Sequence, residues 1–220
     1  MNAKRVAKTK EIAMAALRLF ARKGYDSTSI EEIAAEAGIG KSTVYEYFKT
    51  KEALYIETIM VGADMWVSDL EAIGRQERDA VEQLRLVAEM YYMDDQRPEY
   101  SQDSKIFIDI LFQTLVQDGA FFQLKHLIEN IYQRVIRVVV GFLLTGVSRG
   151  RLKPDIAGDA EDIAINYMAF LDGIKLHAMI AGSYIDMRRQ INLYLENLEP
   201  LINAGTDVAE NDFNAKMLRN

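Results

Sequence analysis

The side chains of this chain best suited to chemistry lie between positions 28 and 51. They are Thr28, Ser29, Lys41, Ser42, Thr43, Tyr45, Tyr47 and Lys51. No histidine stands near any of these hydroxyls in sequence, so nothing here suggests an activated nucleophile. The set suits binding instead. Lysine reads guanine in the major groove of DNA, and hydroxyls accept or donate to any base edge. Lysine, tyrosine and small hydroxyls also hold phosphate oxygens and so fix register.

Those side chains need two short helices to present them. Thr28 and Glu31 have the spacing of a capping box, which predicts a helix start there. Ile30, Ile33, Ala34 and Ala37 continue as an i, i+3, i+4, i+7 stripe, the mark of an amphipathic helix. Gly38 suits the helix end, and Ile39 gives the turn an apolar anchor. Gly40 opens a second helix in which Val44 and Phe48 share the inner side. Ser42, Thr43, Tyr45 and Glu46 then point away, Lys41 sits at the start and Tyr47 on the flank. Thr50 caps the next helix, with Lys51 in its first turn. This is a helix-turn-helix pattern, and an ordinary αα-hairpin shares the same spacing.

Finer residue detail separates the two. Ile12, Ala15–Ala16, Leu19–Phe20, Gly24–Tyr25, Thr28–Ser29, Ile33–Ala34, Ala37–Gly38–Ile39, Thr43–Val44–Tyr45, Tyr47–Phe48, Lys51–Glu52 and Leu54 follow in order. With them the chain resembles the N-terminal domain of the tetracycline-repressor-like (TetR) regulators of transcription. Position 40 departs from the family, being Gly where many members place a capping Ser. The resemblance implies a DNA-binding head, a divergent effector-binding body and a homodimer formed by the last two long helices. A symmetric dimer implies a palindromic double-stranded operator.

Composition fits this outline. The chain has 220 residues, half of them hydrophobic, and only three prolines, which points to an all-α fold of about nine helices. It has no cysteine and two histidines, so neither a disulfide nor a thiolate or histidine-rich metal site is expected. No cofactor is expected either, and no enzyme: there is no Gly-rich phosphate loop and no Glu-x-x-His pair. No apolar core follows the basic N-terminus, and the apolar stretch near 138–144 is too short to span a bilayer, so the reading is cytoplasmic. The net charge is −7, yet residues 1–51 hold ten Lys/Arg against six Asp/Glu, a balance of +4 that leaves −11 for the rest. A basic head on an acidic body is the footprint of a module that turns one side to phosphate.

The expected organisation is a helix-turn-helix domain over 1–50, an effector-binding and dimerisation domain over 51–203, and a flexible tail over 204–220. A first helix is expected over 9–22, preceded by a basic arm (Lys4, Arg5, Lys8, Lys10) that either meets DNA or is a disordered terminus. Further helices are expected over 51–72, 79–93, to about 117 after a loop at 94–99, then 119–149, 159–181 and 186–199, the last ended or kinked by Pro200. The second half of 119–149 is apolar nearly all round and should be buried, while His126 lies in its polar stripe and should face water. The helix over 159–181 is apolar on two sides and must be covered on both. Met90, Phe107, Phe112, Tyr132, Tyr167, Met168 and Phe170 are soft or aromatic residues that can line an adaptable pocket, or simply fill a core. Asp172 and His177 are the polar candidates beside them, with Lys175 placed to neutralise Asp172. With the resemblance, these residues imply a small, mainly apolar effector and a repressor that it releases from DNA. The alternatives are a binding module without working DNA reading, and an activator or orphan member of the same family.

Overall fold

Good helix formers with few interruptions give a helical chain, and the structure, a computed structural model, is predominantly helical over the residues it describes: 3–76, 78–93 and 124–204. These hold α1 (Ala3–Lys23), α2 (Ile30–Glu36), α3 (Lys41–Tyr47), α4 (Lys51–Gly74), α5 (Ala80–Met93), α6 (Lys125–Ser148), α7 (Ile156–Ala181) and α8 (Met187–Ile202). A 3-10 turn, Gly182–Tyr184, joins the last two. The loop and helix expected between 94 and 123, and the tail beyond 204, lie outside the described residues. Among those residues the chain forms two compact units, 3–69 with 124–131 and 70–93 with 132–204.

In the first unit α1 supplies the floor. Ile12, Ala13, Ala16 and Phe20 are all at most 1% exposed, and Ile33 of α2, Val44 of α3 and Leu54 of α4 are fully buried. Phe20 meets Tyr55 edge-on at 5.0 Å, and Tyr25 lies 4.7 Å from the same ring. The basic segment expected as an arm is instead helical from Ala3, so α1 begins six residues earlier than its apolar pattern alone indicates. Its Ala, Lys and Arg residues are good helix formers.

In the second unit a single stripe of α7 is buried: Ile156, Ala160, Ala164, Tyr167, Met168, Leu171 and Lys175. Among the described residues, its other apolar side is left exposed at Ile165 and Ile180. Nor is the second half of α6 buried all round, because Leu144 points outward at 43% exposure. Gly150, at φ +67°, terminates α6, and the amides of Gly150 and Arg151 return to the carbonyls of Val147 and Gly146. α8 does not end at Pro200 but runs to Ile202. Two features hold its last turn: Ile202 is 1% exposed, and residues 151–153 pair with it through Lys153 N–H to Ile202 O and Ala204 N–H to Arg151 O. The Lys153 ammonium also donates to the carbonyls of Pro200 and Leu201, where a helix C-terminus favours a cation.

Leu171 is fully buried in this unit. Leu171→Ala is expected to lower unfolding free energy by about 2–5 kcal/mol, measured by urea denaturation.

Candidate nucleic-acid interface

The turn between α2 and α3 is set by backbone hydrogen bonds. The Ile39 amide donates to the Ala34 carbonyl at 2.9 Å and the Gly38 amide to that of Ala35 at 3.1 Å. This is a Schellman closure, which needs a left-handed residue, and Gly38 supplies it at φ +64°. Gly40 is the N-cap of α3 and contributes no side-chain hydrogen bond. Its carbonyl takes the amides of Thr43 and Val44. Val44 and Phe48 anchor α3 inward, while Lys41, Ser42, Tyr45 and Glu46 are exposed and Thr43 and Tyr47 are half-buried on the flanks. Thr50 accepts from the Ala53 amide at 3.0 Å and so caps α4.

The capping box of α2 falls one residue later than its expected place. Ser29, not Thr28, is the N-cap: its Oγ accepts from the Glu32 amide at 3.2 Å, and the Glu32 carboxylate accepts from the Ser29 amide at 3.0 Å. Thr28 is 2% exposed and donates its hydroxyl to the Gly24 carbonyl at 2.8 Å. That burial removes Thr28 from the residues able to reach DNA. Ser29 is half-buried and already engaged with Glu32.

The lysines are also engaged. Lys41 pairs with Glu31, and its ammonium lies 5.9 Å from the Tyr45 ring. The Lys51 ammonium sits 4.3 Å over the Tyr25 ring and 3.4 Å from the Asp26 carbonyl. Lys23 pairs with Glu32, and Arg18 and Arg22 both bond Glu36, at 2.9 and 3.4 Å. The hydrogen bond from Lys23, followed by those from the Ser29 amide and hydroxyl, pulls the Glu32 carboxyl down to about 2. Hydrogen bonding to Lys41 lowers Glu31, and hydrogen bonding to Arg18 lowers Glu36. All three carboxylates of α2 are therefore matched by cations from α1 or α3.

In the second unit the structure unites some of the candidate effector residues and separates others. The Tyr132 hydroxyl donates to the Asp172 carboxylate at 2.8 Å, and burial with this carboxylate beside it raises the Tyr132 phenol well above its ordinary range. Tyr167 is fully buried and gives its hydroxyl to the Leu84 carbonyl, which makes it a core residue. Met168 is 2% exposed. Phe170 is half-buried and stacks on Tyr194 at 4.2 Å. Met90 is half-buried. His177 does not join them: it is exposed, three residues before Ile180 on the uncovered side of α7. His126 is exposed, in its expected polar stripe. Phe107 and Phe112 lie outside the described residues. Among the described residues, no group of His, Asp and Glu is arranged to hold a metal.

A first helix buried on one side, a glycine-closed turn and a short second helix with a polar outer side have the arrangement of the helix-turn-helix class of DNA-binding domain. Residues 12–58 match the family of bacterial regulatory proteins named the tetR family. The transcriptional regulator RutR of Escherichia coli K12 is 42% identical over 66 residues, which is 30% of this chain and 31% of RutR. The match thus spans about a third of that relative's length. The fold is shared more widely. A TetR transcriptional regulator from Chloroflexus aurantiacus superposes with a TM-score of 0.69 at 20% identity, covering 92% of this chain and 99% of the other. The regulator FadR from Bacillus subtilis, solved with stearoyl-CoA, gives 0.61 at 22% identity over 84% and 95%.

Two outcomes follow from the caps. Glu32 titrates below its ordinary 4.5 when folded, so its contribution to stability is complete above 4.5 and is lost as pH falls towards about 2. Glu32→Gln is expected to flatten the stability profile in that window, followed by circular dichroism. Gly40 has an extended backbone (φ −74°, ψ 149°), and a Cβ there would meet only Ser42 Oγ at 3.6 Å and Thr43 Oγ1 at 3.9 Å. Gly40→Ser should therefore raise stability by about 0.4–1 kcal/mol in thermal unfolding.

Proposed function

We propose that this protein is a ligand-responsive, sequence-specific regulator of transcription, a cytoplasmic homodimer whose α3 helices read a palindromic operator. One observation carries the reading. Ser42 and Tyr45 stand exposed on a two-turn helix whose other side, Val44 and Phe48, is buried, inside the segment that matches the tetR family. Nothing in the domain's own packing requires a polar outer side with these residue types. Ser42, Thr43 and Lys41 would read base edges, while Ser29, Tyr47 and Lys51 would hold phosphates.

Homodimerisation is supported by the uncovered apolar side of the last two helices. Ile165 and Ile180 on α7 and Leu193 and Leu201 on α8 are 47, 77, 52 and 68% exposed. Such residues are covered when a second copy packs on them. In the second unit the effector would be small and mainly apolar, with Tyr132 and Asp172 as the polar contacts. The stearoyl-CoA complex of FadR supports an acyl or similarly apolar class. Bound effector would favour a state in which the paired heads no longer fit the operator, by as much as its affinities for the two states differ. The chain would act as a repressor released by its effector, with no catalytic step of its own.

Fluorescence anisotropy with duplex DNA across a salt series tests this. Tyr45→Ala is expected to abolish sequence preference while the fold, followed by circular dichroism, persists. Lys51→Ala is expected to weaken every duplex alike and to reduce the slope of log affinity against log salt by about 0.9. An unchanged slope would remove Lys51 from the phosphate contacts.

A further inference from the structure

We propose that Arg5 is a positioning residue for DNA recognition: it clamps the C-terminal end of α3 and fixes the ring of Tyr47. The proposal rests on the DNA-reading role of α3. Arg5 is in the first turn of α1, yet its Nη2 donates to the Glu46 carbonyl at 3.1 Å, 41 residues along the chain. Its guanidinium also lies 4.8 Å over the Tyr47 ring. Two different interactions from one side chain thus converge on consecutive residues of the helix.

Each has a physical reason. Glu46 lies in the last turn of α3, where carbonyls have no partner within the helix. A cation there is doubly favoured, by the hydrogen bond and by the negative end of the helix dipole. The planar guanidinium can bond the carbonyl along its edge while its face covers an aromatic ring, which an ammonium cannot do. The buried residues of α1 begin only at Ile12, so burial does not account for the helix continuing back to Ala3. Arg5 gives that extension a purpose: the rigid core part of α1 carries the guanidinium to α3. The basic N-terminal segment therefore has a role that its sequence shared between a DNA-contacting arm and a disordered terminus.

Tyr47 is half-buried on the flank of α3 and is one of the residues placed to meet a phosphate. A ring held by Arg5 presents its hydroxyl in one direction. Without the clamp both the ring and the last turn of a seven-residue helix gain freedom, which must be lost again on binding.

Anisotropy titrations of the full-length chain with its selected duplex, over a salt series, test the clamp. Arg5→Ala should lower affinity roughly three- to ten-fold, with the salt slope unchanged. Arg5→Lys should not restore it. In a Tyr47→Ala background, Arg5→Ala should cost clearly less than in the native background, because the part of its effect that passes through the ring is already lost and only the bond to the Glu46 carbonyl remains. Circular dichroism of each variant confirms that α1 to α4 remain folded. A slope reduced by about 0.9 with rescue by Lys would make Arg5 a phosphate contact and overturn the proposal. Equal losses in both backgrounds, or no loss, would overturn it too. If the unmodified protein selects no duplex at all, the DNA-reading role itself fails, an outcome distinct from an inert Arg5.

Discussion

A helix of seven residues does not persist in water by itself, because nucleation costs more than so few hydrogen bonds return. α3 is such a helix, and it carries the residues on which the functional reading depends. Its existence is imposed from outside. Val44 and Phe48 are buried on its inner side, and the Gly38 closure fixes the angle at which it leaves α2. α2 is equally short and is held by its own capping box and by Ile30 and Ile33. The outward side chains of α3 are therefore placed by burial elsewhere and are spared from packing. This division would let the outer residues serve recognition at little cost to the fold.

Electrostatics add a second layer. The basic balance of the head looks, on paper, like charge available to phosphate. Much of it is matched within the unit, since Lys23, Arg18, Arg22 and Lys41 face the three carboxylates of α2. All these pairs are exposed, so they contribute little to stability and can exchange partners when a polyanion approaches. Lys41 would then trade Glu31 for DNA. The single ion pair with Glu31 would hold the lysine in place before such an encounter and would cost little to break.

The head was legible in the sequence because each signal was local. The stripe from Ile30, the glycine at 38 and the i, i+4 pair Val44 and Phe48 each act within one turn. The capping box was misplaced by one residue for an identifiable reason. Thr28–Ser29 and Glu31–Glu32 offer two boxes of identical spacing, and only the burial of Thr28 against the end of α1 selects the second. Pro200 misled in a similar way, because what carries α8 past it is the burial of Ile202 and pairing with residues 151–153. The body was less legible. Periodicity marked two apolar sides on α7, but it could not say that Tyr167 would give its hydroxyl to the Leu84 carbonyl, or that His177 would lie on the uncovered side. Those outcomes depend on neighbours far away in the chain.

The most direct test of the central claim, that the outer side of α3 reads base edges, is selection of the purified protein against random duplex DNA at near-physiological salt. The account predicts an enriched palindrome, with Ser42→Ala and Thr43→Ala shifting preference at particular base pairs and leaving the others unchanged. Folded protein that enriches no sequence, or an enriched site that these substitutions leave untouched, would contradict it.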